Sequence, residues 1–333
     1  MEAVLRADLS VVAVVVCYRS AEVLENCLRS LDGMPVVVVD NGSGDGAGEI
    51  ARGFAGVEAI ANQENRGFAA AVNQAVAGRS EEYVMLVNPD VEIVGDAWAL
   101  ARACREAGAD IAGGQLKNAD DSAQWGFAAR RFPTPATLAF EAMGWNRAFP
   151  WNPVNRAYRY LDRGPSHGGE VDQPAGAFLV FRRALWGKLG GFDEAFYPAW
   201  FEDVDFCLRA RQAGARVVYA PGAAARHLGG HSFRALDWEA REVRWYVSLM
   251  RYASKHFRPS GRRRLAAGLV AGAMVRMILS TCRRANLKPI PLYSEVIRLA
   301  YLTLWKGGGG SEVGMLDEVE QRKLGNDTRL HVL

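Results

Sequence analysis

Three acids within four positions, Glu202, Asp203 and Asp205, follow the aromatic pair Trp200-Phe201. A carboxylate beside aromatic walls can remove a proton from an attacking hydroxyl. Acids that open a helix also interact favourably with its dipole, here with Asp203 as the N-cap, and the two roles are compatible. A second set is Asn88-Pro89-Asp90, at the end of an apolar run. Hard divalent cations take oxygen ligands and keep one or two carboxylates beside substrate phosphates. Asp90 offers a carboxylate, and Asn88 an amide oxygen for the cation or a bond to a sugar hydroxyl, although Asn-Pro-Asp is also an ordinary turn. His227 and His231 are spaced for zinc on a helix, but Gly229 and Gly230 between them oppose a helix. The expectation is therefore one imidazole, His227, completing an oxygen-rich metal site. The fourth set is Asp40-Asn41-Gly42-Ser43-Gly44-Asp45-Gly46. A GxGxxG fingerprint fails there, because its last position falls on Ala47 or Glu49, so NAD binding is disfavoured. Beyond an ordinary glycine turn, a carboxylate at a strand's end can accept from a nucleobase imide N–H or a ribose hydroxyl.

These residues need elements to hold them. Val11–Cys17, Val36–Asp40 and Tyr83–Val87 are continuous apolar runs rich in β-branched residues, the pattern of strands buried on both faces. Val57–Ala61 is a short strand. Helical spacing over Ala21–Leu31, Gly44–Phe54, Phe68–Ala77 and Asp96–Ala107 alternates with them, leading to Ile111. Such alternation predicts a doubly wound α/β sheet, in which ligands gather beyond the carboxyl ends of the strands. Tyr18, Asp40, Asn62 and Asn88–Asp90 should then line one crevice. Residues 117–170 lose the rhythm and carry five prolines. Order returns with a strand over Val171–Phe181, helices over Arg183–Leu189 and Asp203–Ala213, and a last strand, Arg216–Ala220, ended by Pro221. From Asp237 the pattern is helical, over about 237–257, 261–284 and 290–305, until Gly307–Gly310 break it. The domain expectation is 1–235 with an acceptor-side insertion at 117–170, a basic amphipathic helical region at 236–306, and a flexible tail at 307–333.

Half of the 333 residues are apolar and 23% are charged, with net charge +3, which excludes a disordered or low-complexity chain. The near-neutral total conceals a split. Residues 1–225 carry 21 Lys and Arg against 28 Asp and Glu, residues 226–306 carry 16 against 4, and residues 307–333 carry 3 against 5. A strongly basic segment implies an anionic partner. No nucleic-acid-binding module is recognisable, so nucleic acid is not expected. Basic residues of 241–264 interleave with Trp245, Tyr246, Tyr252 and Phe257 and read as an interfacial helix on anionic lipid. The five cysteines form no CxxC pair and imply free thiols. No basic region followed by an apolar one opens the chain, so a signal peptide is not expected. The apolar stretch Leu265–Ser280 is shorter than the ~20 residues of a spanning helix. The resulting expectation is a protein facing the cytosol, peripheral on the inner face of the cell membrane. A homo-oligomer stays open.

The ordered series Val15–Ser20, Val38–Ser43, Asn65–Ala69, Val87–Asp90, Gly176–Phe178, Gly190–Glu194, Phe201–Phe206, Tyr219–Pro221, His227 and Ser232 resembles family 2 glycosyltransferases of the GT-A fold, in particular the rhamnosyltransferase-like branch. The resemblance covers residues 10–235. It implies inverting transfer of a sugar from a nucleoside diphosphate donor, with L-rhamnose from dTDP-L-rhamnose as the first candidate and a UDP-hexose as the rival. The acceptor would be a glycan or lipid-linked sugar in cell-surface polysaccharide synthesis. By the same resemblance, Asp40 binds the base, Tyr18 lies in the loop that flanks it, and Asn65, Arg66 and Gly67 lie close to the diphosphate and sugar. Asp90 is the last acid of a DxD-type metal motif that has Asn88 in its first position. His227 joins Asp90 on Mg²⁺ or Mn²⁺, and Asp203 is the base, with Glu202 beside it. Trp200 and Asp205 are placed on the acceptor side, with Trp125, Trp145 and Trp151 available to stack on sugars or to pack a satellite core. A nucleotidyltransferase would need a Gly-rich basic loop, whereas residues 17–22 are Cys-Tyr-Arg-Ser-Ala-Glu. A catalytically inactive sugar-nucleotide-binding protein would lack the Glu202-Asp203 acids, which are present.

Overall fold

The computed structural model describes residues 9–229, 237–306 and Leu316. His231, Ser232 and nearly all of the 307–333 tail lie outside the described residues. In chain order the elements begin with β1 (Val11–Cys17), α1 (Ala21–Ser30), β2 (Val36–Asp40), α2 (Ala47–Arg52), β3 (Val57–Ala61), α3 (Phe68–Val76) and β4 (Tyr83–Val87). There follow β5 (Val91–Val94), α4 (Ala99–Glu106), β6 (Ile111–Lys117), β7 (Ala129–Arg130), α5 (Pro135–Ala142), α6 (Trp145–Ala148) and α7 (Pro153–Tyr158). Then come β8 (Gly169–Glu170), β9 (Gln173–Pro174), β10 (Phe178–Arg182), α8 (Arg183–Leu189), α9 (Glu202–Gln212) and β11 (Val217–His227). The last are α10 (Trp238–His256), α11 (Pro259–Arg284), α12 (Pro289–Leu299) and a π-helical stretch, Ala300–Lys306.

The chain divides into two compact units. One comprises Met1–Phe132 and Ala157–Ala235, the other Pro133–Arg156 and Leu236–Leu333. Part of the irregular 117–170 stretch therefore groups with the C-terminal helices.

The first unit is built on a sheet in the order β3-β2-β1-β4-β10-β6-β11-β5, with β8 on β11. Strands β3, β2, β1 and β4 are mutually parallel, and β10 is antiparallel to both of its neighbours. Every residue of β1 and β4 is buried, as their unbroken apolar sequences require. Each such buried Val or Leu contributes about 1.5–3 kcal/mol. The register pairs Cys17 with Asp40 and Asp40 with Ala61. Three strands thus end level, and their next residues, Tyr18, Asn41 and Asn62, emerge together.

Two expectations change. The last strand does not stop at Pro221. It continues to His227 across a register shift between Ala220 and Ala224. Proline lacks the N–H a ladder needs and is tolerated where a bulge interrupts pairing. The continuation pairs antiparallel with β5, a four-residue strand too short to read in advance. Likewise Val171–Phe181 is two strands, β9 and β10, separated by the turn that carries Gly176.

In the second unit, α10 is buried all round over Tyr246–Ala253, including Arg251, and Arg244 is buried just before. A helix buried on every side is a core helix. The interfacial expectation for 241–257 is therefore wrong, because Tyr246 and Tyr252 pack inward and Trp245 and Phe257 are half-buried. Arg276 of α11 caps the end of α5 through Ala142 O at 2.8 Å and Glu141 O at 3.3 Å.

Candidate active site

The nucleotide-side candidates gather where β1 and β2 end. Asp40 Oδ1 accepts from the Ser43 N–H at 3.0 Å, closing the turn that follows the strand. The Ser43 hydroxyl accepts from the Arg19 N–H at 3.1 Å, and Asp45 accepts from the Ala21 N–H at 2.9 Å. The two loops are thereby tied together, with Tyr18 half-buried beside Arg19. Asp40 is half-buried and keeps acceptor capacity for an N–H or O–H from outside.

Sequence reasoning quoted Asn41 but assigned it no role. It is buried and satisfies four partners. Its Nδ2 donates to Asn65 Oδ1 at 3.0 Å and Gly67 O at 3.2 Å, and its Oδ1 accepts from Asn62 Nδ2 at 3.0 Å and the Arg66 N–H at 3.1 Å. Asn65 Oδ1 also accepts from the Gly67 N–H at 2.9 Å. The Asn65 oxygen is therefore committed to shaping its own loop, while the Arg66 side chain is exposed. Gly67 has φ +84, and a Cβ there would lie 2.9 Å from the Tyr197 ring, so only glycine fits. The signal available in advance was the Asn-Gly pair at the end of a buried strand.

The β5–β11 pairing brings the two candidate metal ligands together. Asp90 Oδ1 lies 3.5 Å from His227 Nε2, and both side chains are buried. Gln124 orients the ring. Its Nε2 donates to His227 O at 2.8 Å, which turns its Oε1 toward Nδ1 at 2.9 Å. An amide oxygen only accepts, so Nδ1 carries the proton and Nε2 presents its lone pair toward Asp90. Burial lowers the His227 pKa against the opposing pull of Asp90, which favours this neutral form. Phe127 stacks on the imidazole with centroids 5.4 Å apart. Asn88 is half-buried at the head of this turn, its N–H donating to Ala177 O at 3.0 Å.

The acid triplet resolves into three different environments. Trp200 and Phe201 have φ +78 and +71, a strained conformation for large side chains that costs on the order of 1–3 kcal/mol per residue. Phe201, not Asp203, is the N-cap, and all three acids fall in the first turn of α9. Asp203 is half-buried and accepts from the Gly176 N–H at 3.0 Å through Oδ2. Glu202 is buried, and its Oε2 has no hydrogen-bond partner. Burial first, and the neighbouring Asp203 second, push its pKa well above the usual carboxylate range. Asp205 has no exposed surface and pairs with Arg209 at 2.7 Å. Arg209 in turn donates to Leu189 O and Gly191 O. Asp205 thus anchors α9 to the preceding loop and does not face an acceptor. Trp125 donates to Tyr160 O at 2.9 Å and packs on Tyr219, which makes it a packing residue. Trp145 and Trp151 belong to the second unit and are exposed.

Residues 8–248 match the model of the "Glycosyltransferase like family 2" family. The chain belongs to the family 2 glycosyltransferases. It is 31% identical over 304 residues to the N-acetylglucosaminyl-diphospho-decaprenol L-rhamnosyltransferase of Mycobacterium tuberculosis, covering 83% of this chain and 96% of that protein. A shorter match, 35% over 86 residues, links 26% of the chain to 31% of the Rhamnosyltransferase WbbL of Escherichia coli. Among solved structures, the mannosyltransferase PcManGT from Pyrobaculum calidifontis, in complex with GDP-Man and Mn²⁺, superposes with a TM-score of 0.50. The identity is 18%, with 95% of this chain and 87% of that one covered. This family 2 glycosyltransferase has the GT-A fold, a mostly parallel sheet followed by C-terminal helices.

Proposed function

We propose that the enzyme transfers L-rhamnose, with inversion, from dTDP-L-rhamnose to a lipid-linked diphosphate sugar in cell-surface polysaccharide synthesis. The observation that carries the reading is the near full-length similarity to the mycobacterial rhamnosyltransferase, whose name specifies such an acceptor. In this reading the enzyme works at the cytoplasmic face of the membrane, which a lipid-linked acceptor like that in the relative's name supports.

In this reading Asp40 accepts from the thymine imide N–H, and Tyr18 flanks the base. The loop shaped by Asn41 and Asn65 carries Arg66 toward the diphosphate. Asp203 takes the proton from the acceptor hydroxyl as that oxygen attacks the anomeric carbon, and the Gly176 N–H aims its carboxylate. Burial favours the protonated form of Glu202, which would add no second charge beside the base. Asp90 and His227 fit a divalent cation, Mg²⁺ or Mn²⁺, because a carboxylate oxygen and an imidazole lone pair converge at 3.5 Å. Among the described residues no group of three or more His, Cys, Asp or Glu is arranged to hold a metal ion, so further ligands would come from the donor diphosphate and water. A bound cation would neutralise charge developing on the departing diphosphate.

A thermal-shift panel of nucleotide sugars with and without Mn²⁺ tests the reading. dTDP-L-rhamnose should stabilise the protein most, and more so with Mn²⁺. Stabilisation by UDP-hexoses alone would overturn the donor assignment.

A further inference from the structure

The second unit reverses the usual sorting of side chains. Trp145, Phe149 and Trp151 are 50%, 62% and 74% exposed, while Asn146 and Asn155 between and beside them are buried. The asparagines hold the loop in this inverted form. Asn146 Nδ2 donates to Glu141 Oε2 at 2.8 Å, Asn152 Nδ2 to Phe149 O at 2.8 Å, and Asn155 Nδ2 to Pro150 O at 2.7 Å. The aromatic display is therefore built into the loop's hydrogen bonding.

Helix α11 adds a second exposed apolar set. Leu265, Ala266, Leu269, Gly272 and Ala273 are buried, while Met274, Val275, Ile278 and Leu279 stand outward at the spacing of one stripe. Leu287 and Ile290 extend it past the helix end. The two sets start from one junction. Arg276 binds the carbonyls of Glu141 and Ala142, and Gly272 lies so close that a Cβ there would come within 2.6 Å of Ala142 O.

The charge around these residues is mostly positive, the exceptions being the half-buried Glu141 and Glu242, which are engaged by Asn146 and Arg276. From Val243 to Ser294 the chain has eleven basic residues and no acidic one, and 142–161 has no acid either. Arg147, Arg156, Arg283 and Lys288 are exposed. Apolar and aromatic side chains among cations match the interface of an anionic bilayer. A second copy of the chain would set like charge against like charge. Helix α11 has the length and composition to cross a membrane, but Arg276 in its middle is bonded to α5 and lies 3.6 Å from Glu242. Crossing would carry that polar cluster into hydrocarbon, which is costly.

We propose that the 145–151 loop and the outward stripe of α11 seat the enzyme in the headgroup region of an anionic membrane. The inference rests on the lipid-linked-acceptor reading for its purpose, not for its evidence. The test is co-sedimentation of the full chain with phosphatidylglycerol-containing or pure phosphatidylcholine vesicles at low salt. The comparison variants are Phe149→Ser with Trp151→Ser, and Ile278→Ser with Leu279→Ser, exposed positions whose substitution should leave the circular dichroism spectrum unchanged. The wild type should pellet with the anionic vesicles only, and each double variant should partition roughly tenfold less or weaker still. Absence of wild-type pelleting, or equal pelleting of the variants, overturns the proposal. So does a wild-type dimer in light scattering that the variants abolish while no vesicles are bound. The nucleotide-sugar panel is read separately. If it fails while vesicle binding holds, the donor reading falls and the membrane surface stands.

Discussion

The two units use charge and apolar surface in opposite ways. The first, which carries most of the acids, buries its aliphatic residues in a sheet and brings polar side chains out at the strand ends. The second buries Arg244 and Arg251 and exposes Trp151 and Ile278. In the first unit, a polar residue in a partly buried position marks the site. In the second, an apolar residue in an exposed position marks the proposed contact surface. The informative residue is in each case the one that breaks the local sorting rule.

The largest expected effect tests the first half of this comparison. Asp203→Asn should lower turnover by about 10²–10⁴-fold with the donor dissociation constant unchanged, as initial rates and calorimetry would show. Near-normal turnover would move the base elsewhere. Next, Gln124→Ala should weaken Mn²⁺ binding by roughly 10–100-fold, read by electron paramagnetic resonance without any substrate. Unchanged Mn²⁺ affinity would mean that the imidazole orientation is irrelevant to the metal. The vesicle experiment is comparable in size and probes the second unit alone. Asn41→Ala should cost about 1–3 kcal/mol in denaturant unfolding, because it leaves several buried partners unsatisfied.

The smallest effect concerns pH. The folded-state pKa of Glu202 is raised, so the native protein holds a proton that the unfolded chain releases. Stability from this group is full below the unfolded carboxylate value and is lost as pH rises toward the raised folded value. Glu202→Gln should therefore gain in melting temperature relative to wild type as pH increases through that window. A constant difference at all pH values would show that Glu202 is already ionised in the fold.

Much of the first unit was legible in advance because its signals are local. The ranges of β1, β2 and β4 follow from apolar runs rich in β-branched residues, and these ranges, like that of the short strand β3, match the structure residue for residue. The antiparallel pairing of β5 with the end of β11 was not legible, because a proline inside a strand reads as a stop unless the bulge that tolerates it is known. Asp205 was misplaced for a related reason. Three acids in one helical turn look alike, and only Arg209 shows which one is structural. Helix α10 misled in the same way, since an interfacial helix and a core helix that buries its arginines share a composition.

The sequence by itself determined the alternating α/β pattern, the acids available for chemistry and the division of charge along the chain. These depend on residue type and short-range periodicity. Only the tertiary structure decided that His227 meets Asp90 with Gln124 behind it. It also decided that Asn41 holds the Arg66 loop, and that the exposed apolar surface lies on α11 and 145–151 rather than on α10. Those outcomes depend on strand register and helix packing, which join residues far apart in the chain and leave no local trace.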